Sequence, residues 1–118
     1  MRDTSPRMLK VNSTLREVIA EEVERLSDSR LEMVSITGVE TSPDLRQAVV
    51  YIDVLADDAS AALIALRRAS HRLQSAIARQ VRMKFTPTLE FAVDPGVTGG
   101  ERIDALLRSL GEEPGPNA

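Results

Sequence analysis

The 31 residues from Ala59 to Leu89 contain six Lys or Arg, one His and neither Asp nor Glu. At the chain's overall acid content, 18 in 118, about five acids would be expected there. The basic residues are Arg67, Arg68, Arg72, Arg79, Arg82 and Lys84, with His71 among them. The segment carries +6 and the remainder −9, so the net charge of −3 conceals a basic patch. From Ala59 to Thr86 there is also no Gly or Pro, which leaves a long helix available. At about 100° per residue, Leu63, Leu66, Ala69, Leu73, Ala76, Ile77 and Val81 fall on one arc. Arg68, Arg72, Arg79 and Arg82 fall on the opposite arc, with Arg67 and His71 at its edge. Such a helix packs on an apolar surface and turns a stripe of cations outward.

The remaining chain has the patterns to supply that surface. A first helix is expected from about Met8 to Leu26, with Met8, Val11, Leu15, Val18, Ile19, Val23 and Leu26 on one arc. Glu17, Glu21, Glu24 and Asp28 form its opposite stripe, read as a solvated face. Glu22 lies within the apolar arc and is expected at the edge of the packed face, its carboxylate reaching water. Asp28-Ser29-Arg30 reads as a turn, and Leu31 to Thr41 as a strand in which Gly38 interrupts the alternation, the mark of a bulge. Ser42-Pro43-Asp44 is a tight turn without further chemistry, and Leu45 to Leu55 a second strand forming an antiparallel hairpin with the first.

Asp57 or Asp58 is expected to cap the basic helix. Thr88 to Val93 reads as a third strand with Leu89, Phe91 and Val93 on one side and Pro87 at its start. A strand following a long helix is expected to run parallel to the one before it. The result is an α+β domain with a three-stranded sheet and helices on one face. Residues 1–7 are expected to be flexible, 8–94 to form the domain, 95–110 a loop and short helix around Ile103, Leu106, Leu107 and Leu110, and 111–118 a disordered tail.

Most chemistries are excluded by composition. There is no Cys, hence no disulfide, thiolate zinc site or thiol nucleophile, and one His leaves no histidine metal cluster. No cofactor or metal is expected. Asp57-Asp58 is explained by capping, Gly99-Gly100 lacks the Lys and Ser/Thr of a phosphate loop, and no set of residues suggests an enzyme. Aromatics are 3% of the chain, Tyr51, Phe85 and Phe91, which argues against reading nucleic acid by stacking bases on aromatic platforms. No apolar run approaches the roughly 18 residues of a membrane span, and the N-terminus lacks a signal-peptide core, so a cytoplasmic protein is expected. The arginine stripe is the feature that asks for a partner. Guanidinium forks suit phosphate, and an ordinary surface helix mixes signs, as the first helix does with Arg16 and Arg25.

In ordered pieces from about residue 8 to 107, the chain resembles ribosome-binding factor A. The pieces are Asp28-Ser29-Arg30-Leu31, Val34 through Arg46 with its Gly38-Val39-Glu40-Thr41-Ser42-Pro43-Asp44-Leu45 core, and Ala48 to Leu55. Ala69-Ser70, Thr86-Pro87-Thr88-Leu89-Glu90-Phe91 and Gly100-Glu101-Arg102-Ile103 complete the set. The resemblance implies a type II KH-like fold, helix-strand-strand-helix-helix-strand. Its central helix is broken at an Ala-x-Gly kink that stands in for the usual Gly-x-x-Gly clamp. Here Ala69-Ser70-His71 occupies that place, so the glycine is missing. A kink is expected near Ser70–His71, His being tolerant of left-handed backbone, although the helical phase by itself runs unbroken. Arg72 also departs from the bulky aromatic or apolar residues more common in the family after the kink.

The resemblance implies binding to the immature small (30S) ribosomal subunit through 16S rRNA, assisting late folding and 5′-end processing, by a factor that is monomeric when free. Arg67, Arg68, Ser70, His71, Arg72, Arg79, Arg82 and Lys84 are the expected RNA-facing set. The alternative reading is a KH-like protein-interaction module on the ribosome without direct RNA contact, using the hairpin face or the acidic first helix. A ligand-binding regulatory domain of the α/β-sandwich type is a third, disfavoured by the few aromatics and the absent phosphate loop.

Overall fold

The computed structural model describes residues 5–55 and 58–95. Helix α1 spans Pro6–Arg25, two residues earlier at its start than the periodicity indicates. Ser5 is its N-cap, accepting the Met8 N–H on its hydroxyl at 3.2 Å, and Pro6 occupies the first helical position, where no N–H is needed. Pro6 and Arg7 therefore belong to the helix, with Ser5 capping it. Its buried side is Met8, Leu15, Val18, Ile19, Glu22 and Val23.

A 3₁₀ turn, Ser29–Leu31, follows, with Asp28 as its cap. It takes Leu31 out of the first strand and drops its side chain into the core. Strand β1 is thus Val34–Thr41, shorter than expected, and β2 is Gln47–Val54. They pair antiparallel, with the register shifting between Ile36 and Gly38, so the bulge falls where the alternation breaks. The hairpin turn extends two residues further than the Ser-Pro-Asp signal, taking Leu45 and Arg46 out of the second strand. The Leu45 N–H bonds to the Ser42 carbonyl at 2.8 Å, and Leu45 itself holds φ 63°, in the left-handed region.

Helix α2 spans Ser60–Arg68 and α3 spans Ser70–Gln80. Asp58 contributes the capping contact at the start of α2, accepting the Ser60 N–H at 2.9 Å; Asp57 lies outside the described residues. Strand β3, Thr88–Val93, runs parallel to β2 from the pair Gln47–Thr88 to Ile52–Val93, giving the sheet order β1-β2-β3. The element order is the expected one.

The core lies between one sheet face and the helices. Ala48, Val50 and Ile52 of the central strand meet Leu15 and Ile19 of α1, Leu66 of α2, and Leu73 and Ile77 of α3, all essentially inaccessible. Burying side chains of this size contributes roughly 1.5–3 kcal/mol each before entropy is counted. Two polar ties fix the layers. Asn12 of α1 accepts both the Thr41 N–H and its hydroxyl at 3.0 and 2.7 Å, and Gln74 of α3 donates to the buried Pro87 carbonyl at 2.9 Å. The short helix expected around Ile103–Leu110 and the 111–118 tail lie outside the described residues.

Candidate nucleic-acid interface

The basic segment is two helices, and the break is one residue. Ala69 has φ −88° and ψ 2°, the sparsely populated bridge region. Its N–H is shared by the Ala65 and Leu66 carbonyls at 3.0 and 3.1 Å, which tightens the last turn of α2. Its own carbonyl accepts the Leu73 N–H at 3.0 Å, so α3 starts at once. The break therefore sits at Ala69, the first of the three residues, Ala69, Ser70 and His71, expected to hold the kink. His71 is ordinary α-helix, and among the described non-glycine residues only Leu45 has positive φ. A bridge-region residue interrupts the helix without left-handed backbone, so α2 and α3 are separated here with no glycine.

Arg67 and Arg68 end α2 and are exposed; Ser70 is half-buried and His71 exposed. Arg68 and Ala69 line a shallow hollow of about 270 Å³ with Leu26, Asp28, Arg30 and Ala65. There Arg30 grips Asp28 with two donors, Nε at 2.9 Å and a terminal nitrogen at 2.7 Å. Those bonds, the Arg30 N–H and the nearby Arg68 charge hold the Asp28 carboxyl down at about 2. Asp28 is thus part of this turn and no member of an α1 stripe, since α1 has already ended at Arg25.

Glu22 overturns the expectation that it reaches water. Its side chain is 4% exposed, and Arg72 Nε donates to its Oε2 at 2.8 Å. Arg25 donates to the other oxygen at 3.2 Å. The Arg72 bond lowers the Glu22 pKa from its ordinary value, burial opposes this, and Arg25 adds to the lowering. A carboxylate inside the α1–α3 contact needs such partners, because a buried charge without them is costly. Arg72 therefore has a structural duty in addition to its half-exposed surface.

At the far end of α3, Arg79 is exposed on the last turn. Arg82 and Lys84 are exposed too, but not on the helix: Val81 has turned extended at φ −119°, ψ 131°. The expected continuous stripe is instead two basic clusters, Arg67 and Arg68 at the break and Arg79, Arg82 and Lys84 at the far end of α3, separated by the roughly 16 Å length of that helix. The second cluster gains Arg46 of the hairpin turn, whose guanidinium carbon stands 4.1 Å from the centroid of the Phe85 ring, with Lys84 Nζ at 5.5 Å. Among the described residues, no three His, Cys, Asp or Glu are grouped to hold a metal ion.

Arg25, Arg30, Arg46 and Phe85 are the surface residues that linear pattern did not single out. For Glu22 a signal existed, an acid inside an apolar arc. Arg46 and Phe85 are brought together only by the parallel register that starts at Gln47 and Thr88.

The family model for ribosome-binding factor A matches residues 7–107 of the chain. The ribosome-binding factor A of Rubrobacter xylanophilus is 40% identical over 111 residues, which is 92% of this chain and 91% of that protein. The crystal structure of ribosome-binding factor A from Thermus thermophilus superposes with a TM-score of 0.69 at 36% identity, over 73% of this chain and 94% of that one. A Thermus thermophilus ribosome-binding factor A homology model, fitted into a cryo-EM map of its complex with the 30S subunit, gives 0.64 at 36% identity over 74% and 94%. On the family match across nearly all its described residues, and on these relatives, the chain belongs to the ribosome-binding factor A family.

Proposed function

We propose that this protein binds the immature small ribosomal subunit in the cytoplasm, contacting 16S rRNA phosphates through the cations of α2, α3 and the loop after them. On this reading it assists late rRNA folding and 5′-end processing. The observation that carries it is the exposure of Arg67, Arg68, Arg79, Arg82 and Lys84 in a segment free of acids. The apolar faces of α2 and α3 are committed to the sheet, so these cations remain for a partner. The fitted position of a 36%-identical relative in a complex with the 30S subunit supports the same partner.

The work is done by binding and requires no covalent step. A factor that prefers one rRNA conformation shifts the population toward it, and only its differential affinity counts. Moving a 1:99 equilibrium to 99:1 takes about 10⁴-fold preference. Arg67 and Arg68 beside the break supply phosphate donors where the wider fold has its Gly-x-x-Gly clamp.

Co-sedimentation with purified small subunits, mature and immature, at increasing salt tests the proposal. Tighter retention on immature subunits, falling steeply with salt, is expected. Retention that is indifferent to salt would instead favour a protein-interaction module.

A further inference from the structure

Of the three aromatic residues, Phe91 is in the core and the Tyr51 hydroxyl is hydrogen-bonded to Glu40 at 3.0 Å. Phe85 is 37% exposed, and it lies among cations. Arg46 stands over the ring at 4.1 Å and Lys84 at 5.5 Å, while exposed Arg82 is three residues away in the same loop. The support beneath is built. The Arg46 carbonyl accepts the Thr88 N–H at 2.9 Å, and the Arg46 N–H is held by Asp44 Oδ1 at 3.1 Å. Pro87, two residues after Phe85, is fully buried and its carbonyl is bonded to Gln74. A planar ring and a planar guanidinium are thus presented together by anchored backbone.

We propose that Arg46, Phe85 and Lys84 form a seat for one unpaired nucleotide of a single-stranded RNA segment. The inference rests on the RNA-binding reading above. A base stacks on the ring or on the guanidinium plane, both of which serve as platforms for unstacked bases. Lys84, the looser of the two cations, swings from the ring to the phosphate. Bases inside a duplex are already stacked and have no face to offer, so the ligand is unpaired RNA. The seat lies at the opposite end of α3 from the break, and a strand occupying both would follow α3 for about 16 Å.

The chain has no Trp, so Phe85→Trp creates a single fluorescent reporter at the seat. The probes are a single-stranded adenosine oligonucleotide of about seven residues and an RNA duplex of similar length. Stacking is expected to quench the reporter with the single strand and not with the duplex. Phe85→Leu is expected to weaken single-strand binding by about tenfold or more, with the salt slope unchanged because no charge is lost. Neither quenching nor weakening, in protein that still sediments with subunits in a salt-dependent way, would overturn the seat and leave the RNA reading standing. Equal quenching by the duplex would also overturn it. Wild-type protein that binds neither oligonucleotide nor subunit would remove both. If Phe85→Leu is poorly folded, the Trp reporter decides alone.

Discussion

Arg72 Nε donates to Glu22 Oε2 at 2.8 Å, joining the first turn of α3 to the inner face of α1. The acid is nearly inaccessible and the arginine half-exposed, so the pair fixes the helix after the break while leaving part of the guanidinium at the surface.

This pair gives stability a defined pH dependence. The Glu22, Asp28, Asp44 and Asp58 carboxyls all sit below their ordinary values, held chiefly by Arg72, Arg30, Ser42 and Ser60 in turn. Below the ordinary carboxylate range the unfolded chain binds more protons than the folded one, so stability rises with pH there. The contribution is complete at neutral pH and is lost as pH falls through the folded values, for Asp28 between 3.8 and about 2. Glu22→Gln should lower the melting temperature at pH 7, and the gap from wild type should shrink as pH falls. Melting curves from pH 7 to 2 check this; a constant gap would show that the Glu22 charge has no part in stability.

His71→Gly should destabilise. The residue is right-handed helix, so glycine relieves no strain and costs roughly half a kcal/mol in propensity. A fall of a few degrees in Tm is expected. A rise would mean that the backbone at His71 is left-handed in solution.

Leu45→Asn should stabilise the hairpin. Leu45 holds φ 63°, where a leucine is strained and an asparagine is not. The relief is about 1 kcal/mol, partly offset by the apolar contact of a half-buried side chain. Chemical denaturation at pH 7 measures the net gain, and a loss would show that packing of Leu45 outweighs its strain.

Arg68→Gln with Arg79→Gln samples both basic clusters without touching the Glu22 pair. Fold stability should change by no more than about 0.5 kcal/mol, as for most exposed polar changes. Small-subunit affinity should fall, and the slope of log K against log salt should become shallower by about one to two units. Arg72→Gln should differ by also lowering Tm, since it leaves the buried Glu22 short of a donor. A double variant with wild-type affinity and slope would move the binding surface elsewhere, the hairpin face being next.

The elements that local pattern describes well are those whose burial is regular. Leu66, Leu73 and Ile77 repeat at helical spacing and are all buried, and the Ala48, Val50, Ile52 alternation is the central strand. Gly38 marked the bulge, and Pro87 the start of β3. The misplacements fall at ends. Ser5 and Pro6 extend α1, the 3₁₀ turn shortens β1, and Val81 takes Arg82 off the helix, each through a terminal hydrogen bond or dihedral that periodicity does not carry.

By itself, the sequence determined the α+β order, the buried stripes and the separation of charge, because these depend on side-chain type at fixed spacing along one chain. It also placed a cationic surface on the central helices. Only the tertiary structure decided which cations are available. Packing α3 on α1 set Arg72 against Glu22, and pairing β3 beside β2 carried Phe85 and Lys84 to Arg46. Both are contacts between residues far apart in the chain. Their geometry follows from helix packing and strand register, and those are settled by the whole core rather than by the residues that meet.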